Sequence, residues 1–136
     1  DGIQDYVDGF THDGEFVLLA EDGANDLMNY PVRYVTGKIW VNNHAHVLSV
    51  KNGKADNRFL SYALRTINMI PYLVGGSRAK LNANVMMGIM IKIPTLEEQT
   101  KIGEFFQALD ARIEAETKKL NHYESLKKAM LQRMFV

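Results

Sequence analysis

The chain has 136 residues, 46% of them apolar and 24% charged, with 16 basic and 16 acidic side chains and no cysteine. That length suits one domain with a real core, and the missing cysteines exclude disulfides, zinc–thiolate sites and thiol nucleophiles. No apolar run approaches the roughly 20 residues of a membrane span and no basic-then-apolar leader is visible, so a cytoplasmic protein is expected.

In chain order, the first half reads as strands and turns. "EFVLLA" (Glu15 to Ala20) is a short apolar run between Asp13-Gly14 and Asp22-Gly23, two turn dipeptides that predict a strand bounded at both ends. "VRYVTGKIWVNNHAHVLSV" is rich in β-branched and aromatic residues and predicts two or three strands, with breaks at Gly37 and Asn42-Asn43. After a turn at Asn52-Gly53, Phe59, Leu60, Ala63, Leu64 and Ile67 form a helical stripe that ends before Pro71. "GGSRAKLNANVMMGIMIKIP" predicts a flexible glycine-led loop, a short element near Asn82–Met87 and a strand over Ile89–Ile93.

Pro94 and Thr95 mark a boundary. "TLEE" is a capping box, in which the Thr95 hydroxyl accepts from the Glu98 N–H while the Glu98 carboxylate reaches back. Glu97 and Glu98 also suit the positive end of a helix dipole. From Leu96 to about Met134 there is no proline and only Gly103 as glycine, which predicts a helix of roughly 58 Å at 1.5 Å per residue. Ile102, Phe106, Leu109, Ile113, Leu120, Tyr123, Met130 and Met134 follow the alternating four-three spacing of a coiled-coil seam, interrupted by Glu116 and Lys127. Nothing else in the chain is long enough to cover that seam, so the partner helix is expected from another chain or from a missing part of this one, most simply as a homodimer through this helix.

Zero net charge conceals an uneven distribution. Residues 1–32 carry eight acids and no Lys or Arg, residues 33–92 carry nine bases against Asp56 alone, and residues 97–136 balance at seven of each. A basic middle is the electrostatic footprint of a polyanion-binding surface, although charge runs are commonly no more than a solvated face. Arg33, Lys38, Ser77, Arg78 and Lys80 offer phosphate donors. Asn42, Asn43, His44 and Asn82 offer base-edge readers, while Tyr30, Tyr34 and Trp40 offer flat surfaces.

Two catalytic alternatives stand beside this reading. His44 and His46 form His-x-His, which on a strand places both rings on one face as a metal pair would need. A zinc site requires three or four ligands, and His12, Asp22 and Asp26 are the candidates for the third. Glu21, Asp22 and Asp26 could alternatively hold Mg²⁺ in a nuclease, or simply cap a turn. A metal-dependent hydrolase is therefore one rival, and a coiled-coil protein-interaction adaptor is another. No GxSxG, P-loop or GxGxxG motif is present.

"IKIPTLEEQTKIGEFFQALDARIEAETKKLNHYESLKKAMLQRMF" resembles the conserved region of the specificity subunits of type I restriction–modification systems. There, "IP-x-L-x-EQ-x-KI" leads from a target-recognition domain into a long spacer helix, matched by Pro94, Leu96, Glu98, Gln99, Lys101 and Ile102. "DGEFVLLAEDGA", "VNNHAHVL" and "GGSRAKLNANVM" resemble stretches of such recognition domains. The resemblance implies an α+β fold: a small mixed-sheet recognition domain over residues 1–94, followed by one long coiled-coil helix over 95–136. Such subunits usually hold two recognition domains and two antiparallel spacer helices. This sequence has one of each, as in a C-terminal half subunit, and lacks the usual opening segment upstream of "DYVDGF". The implied role is non-catalytic. The chain would bind double-stranded DNA and dock methyltransferase subunits, and through them restriction subunits. It would hold no metal or cofactor of its own, with S-adenosylmethionine bound by the methyltransferase partner.

Overall fold

The computed structural model describes residues 5–22, 26–51, 53–76 and 79–135. Three strands form one sheet in the order β2-β1-β3, with β1 at His12–Ala20, β2 at Val32–Ile39 and β3 at Ala45–Leu48. Both pairings are antiparallel, so the α+β class holds while the expected mixed sheet is corrected to an antiparallel one. β1 is central because its run Phe16–Ala20 is apolar on both faces, which suits a strand flanked on each side. Val17 and Leu19 point into the core and are fully buried, while Phe16 and Leu18 take the other face.

Two expected breaks lie inside strands. Asp13-Gly14 belongs to β1 and Gly37 to β2, where they pair as Asp13 with Lys38 and Gly14 with Gly37. Gly14 and Gly37 have φ of 136° and 83°, so two facing glycines absorb a left-handed excursion without ending the ladder.

Helix α1, Asn57–Arg65, packs across β1 and β2 on the core side. Its N-cap is Asp56, whose carboxylate accepts from the Phe59 N–H at 2.9 Å. Leu64 enters the core with Val17, Leu19, Tyr30, Val32, Met69 and Leu81. A 3-10 turn, Ile70–Tyr72, carries the chain around Pro71, and Ala83–Met87 forms the short helix α2 with Asn82 at its N-cap. The expected strand at Ile89–Ile93 does not form. Ile89 and Ile91 instead pack on the core from a segment that joins no strand.

Helix α3 runs without interruption for 39 residues, Leu96–Met134. Its capping box is present: Thr95 N and Oγ1 donate to Glu98 Oε2 at 3.0 and 2.7 Å, and Glu98 N donates to Thr95 Oγ1 at 3.4 Å. These bonds from Thr95 hold the Glu98 carboxyl below its ordinary range. Residues through Gly103 belong to one compact unit, and a second unit begins at Glu104. In the second unit Phe106, Leu109, Ile113, Leu120, Tyr123, Met130 and Met134 are all exposed. Among the described residues no helix is long and apolar enough to cross a membrane.

Candidate nucleic-acid interface

The C-terminal end of β1 gathers side chains from three separate stretches. Beyond Ala20, the Glu21 N–H donates to the His44 carbonyl at 2.9 Å, and the Glu21 carbonyl accepts from the Leu81 N–H at 2.7 Å. Segment 20–22 is thus clamped between the lead-in to β3 and the segment before α2. The latter is held in turn by paired backbone bonds between Val74 and Lys80 at 2.9 and 2.8 Å. The Tyr30 hydroxyl donates to the Ala20 carbonyl at 3.0 Å from beneath; burial is the main reason its own titration is pushed up.

One ion pair and one histidine–carboxylate hydrogen bond lie on this rim. Lys80 Nζ meets Glu21 Oε1 at 2.6 Å, and His44 Nδ1 meets Asp22 Oδ1 at 2.8 Å. The hydrogen bond from Lys80 lowers the Glu21 carboxyl, and the same contact raises Lys80. Asn42 turns its Oδ1 back to accept from the His44 N–H at 3.1 Å, which orients that residue. Asn82 is exposed and its side chain makes no cap bond. Asn43 is exposed in the turn between them. The rim therefore brings Asn42, Asn43, His44, Lys80 and Asn82 to one end of the sheet. Ser77 and Arg78, the other loop candidates, lie outside the described residues.

The remaining candidates sit elsewhere. Arg33 pairs opposite Leu18 on the face away from the core and lines a shallow concavity with Asn29, Tyr30, Pro31, Val32 and Arg65. Lys38 pairs with Asp13 at the far end of β2, about 17 Å along the strand from Arg33 at 3.3 Å per residue. Its ammonium lies 4.8 Å from the centre of the Phe10 ring. Tyr34 faces the core side opposite Val17, and burial, with a bond to Glu15, pushes its hydroxyl titration up. The structure does not bring Lys38 or Tyr34 to the rim. Trp40 is exposed near the Lys38 end.

The two histidines part company. His46 Nε2 lies 2.7 Å from the Leu81 carbonyl, which can only accept, so that nitrogen carries the proton. His44 instead faces Asp22. His12 stands at the opposite end of β1 with its Nδ1 on Thr11 Oγ1 at 2.8 Å. Asp26 is spent on a local turn, accepting from Met28 N, Asn29 N and Asn29 Nδ2 at 2.9, 3.0 and 2.7 Å. Those bonds, led by the Asn29 side chain, lower its carboxyl titration. Among the described residues no group of three or more His, Cys, Asp or Glu side chains is placed to hold a metal ion.

Sequence reasoning missed the ion pair of Glu21 with Lys80, the contact of Asp22 with His44 and the anchoring role of the Leu81 carbonyl. Glu21 and Lys80 are opposite in charge but far apart in the chain, and no local spacing announces such a pair.

Comparison with known proteins bears on both the rim and the helix. Residues 1–125 match the family described as the type I restriction modification DNA specificity domain. A Haemophilus influenzae protein assigned as a type I restriction enzyme specificity subunit is 50% identical over 109 residues, covering 80% of this chain and 28% of that protein. The type I restriction enzyme MpnII specificity subunit of Mycoplasma pneumoniae is 30% identical over 138 residues, covering 92% of this chain and 40% of the relative. The EcoprrI specificity subunit of Escherichia coli is 27% identical over 110 residues, covering 80% and 26%. The chain thus spans well under half the length of these relatives. With the match running through the sheet, the rim and most of α3, the chain belongs to the type I restriction modification DNA specificity domain family.

Proposed function

We propose that this chain is a DNA-recognition module of a type I restriction–modification complex, reading one half of a two-part target and performing no chemistry itself. The observation that carries the reading is the family match across residues 1–125. In this reading residues 1–94 recognise DNA and residues 95–136 act as spacer and assembly helix. Methyltransferase subunits dock on the chain, bind S-adenosylmethionine and recruit restriction subunits. Two features support it. The rim presents amide, imidazole and ammonium groups of the kinds that contact base edges and phosphates. The exposed apolar stripe of α3 has the spacing of a helix that pairs with another helix.

The same stripe supports self-association as an antiparallel pair. A rod of roughly 58 Å corresponds to about 17 base pairs at 3.4 Å each, the scale of a split target. The test is capture of a methyltransferase partner by the tagged chain, followed by selection of duplexes from a random pool by the complex. Enrichment of a defined half-target is expected. Uniform binding of all duplexes refutes the reading, and stoichiometric metal with hydrolytic activity in the purified chain would replace it with the hydrolase.

A further inference from the structure

The first two turns of α3 contain an arrangement that capping and amphipathicity do not require. Gln99 is 1% exposed, on a helix whose other side chains mostly face solvent. Its Oε1 accepts from the Asp56 N–H at 3.0 Å and its Nε2 donates to the Pro94 carbonyl at 2.9 Å. Four residues on, hence on the same helix face, Gly103 is also buried. A Cβ there would stand 2.9 Å from Arg58 Cβ, 3.0 Å from Phe59 N and 3.2 Å from Asp56 Oδ1. The start of α1, including the carboxylate that caps it, therefore rests directly on the α3 backbone.

The two residues constrain different degrees of freedom. Gly103 sets how closely the helices approach, because any side chain would meet α1 backbone and stem atoms. Gln99 sets rotation and slide, because a buried amide is tolerated only where both its ends find partners. Turning α3 by one residue, about 100°, would carry the amide away from both Asp56 N and Pro94 O. Directional bonds of this kind specify one geometry among several that apolar packing would accept.

We propose that Gln99 and Gly103 are positioning residues that fix the rotation of the first two turns of α3 against the start of α1, and thereby the separation of half-targets that the assembled complex accepts. The inference rests on the function proposed above. It assigns a role to the "EQ-x-KI-G" stretch: Glu98 caps, Gln99 and Gly103 set the geometry, and Lys101 makes an exposed ion pair with Glu97 at 2.6 Å.

The experiment uses the complete complex with its methyltransferase partner. The half-target is first selected by the unmutated complex. Affinities are then measured for a duplex bearing one half-target, and for duplexes bearing two half-targets across a series of separations. Gln99→Glu, Gln99→Leu and Gly103→Ala are compared with Lys101→Ala as an exposed control. The expected result is single half-target affinity within about twofold of the unmutated complex, with the ratio between best and neighbouring separations altered about tenfold or more. Lys101→Ala should leave that ratio unchanged. Should Gly103→Ala fail to assemble, the near-isosteric Gln99→Glu decides, because it keeps the acceptor for Asp56 N and loses the donor to Pro94 O. An unchanged ratio overturns the proposal, as does equal weakening on every duplex, which is the mark of general destabilisation. Failure of the unmutated complex to select any half-target would instead overturn the proposed function on which the inference rests.

Discussion

Replacing Leu109 and Leu120 together by Asp should abolish self-association through α3. The seven seam residues of the second unit, Phe106, Leu109, Ile113, Leu120, Tyr123, Met130 and Met134, are 40–69% exposed. Covering the exposed half of each is worth about 1 kcal/mol, half the value for burying a whole large apolar side chain. Across two copies that is about 14 kcal/mol of gross stabilisation. Lost translational and rotational freedom costs about 4–15 kcal/mol. A cost of about 7 kcal/mol, in the lower half of that range, leaves on the order of 7 kcal/mol, a dissociation constant near 10 μM. The double substitution removes four apolar contacts from the pair, about 4 kcal/mol, so binding should weaken at least about a thousandfold. Burial of the new carboxylates would add to that loss. Sedimentation equilibrium over about 5–200 μM, bracketing that constant, should find concentration-dependent dimer for the unmutated chain and monomer for the variant. A monomeric unmutated chain across that range would refute the burial argument and leave the stripe to a different partner.

Other expectations follow from single contacts. Leu19→Ala, at a fully buried core position, should cost about 3–5 kcal/mol by urea denaturation; a cost below about 1 would mean the core does not pack as described. Thr95→Ala should lower stability by about 1 kcal/mol through loss of the helix cap, read by thermal unfolding. Within the partner-assembled complex, Lys80→Ala should flatten the slope of log affinity against log salt by about one unit. Glu21→Gln should strengthen DNA binding by releasing Lys80 from its ion pair, and weaker binding in that variant would remove Lys80 from the interface. The Glu21 and Glu98 carboxyls both titrate lower folded than unfolded. Their contribution is therefore complete above the ordinary carboxylate value of 4.5 and lost as pH falls through the lower folded values. Glu98→Gln should shrink the acid-side slope of stability against pH, and an unchanged slope would dismiss the cap as its source.

Local signals in the sequence were legible and long-range ones were not. Helix α3, its Thr95–Glu98 box and the Phe59-to-Ile67 stripe are written in spacings of three to seven residues, which elementary helix geometry decodes. The Ile89–Ile93 segment has the alternation of a strand, yet its apolar side chains can be buried without a ladder, and Ile89 and Ile91 pack on the core from an unpaired segment. Asp13-Gly14 reads as a turn because glycine permits one, but a second glycine opposite it, Gly37, lets the ladder continue. At the rim, Asn42, Asn43 and His44 are adjacent in sequence and easily grouped. Their meeting with Lys80 depends on the Glu21–Leu81 backbone bond, which joins distant stretches. Lys38 shares a basic segment with Arg33, but strand geometry holds the two at opposite ends of β2.

The bond from the Leu81 N–H to the Glu21 carbonyl has a kinetic meaning as well. It closes a loop of about sixty residues, and closure of a loop that long must be opposed by chain entropy before the contact can form. The hairpin between β1 and β2 needs no such closure, so the rim should be completed late, after the central strands have found each other. A surface that exists only when both ends of that loop are in place cannot be presented by a partly folded chain. Leu81 is fully buried, and its amide is therefore a natural reporter: its hydrogen-exchange protection measures how often the rim opens, separately from fraying of α3.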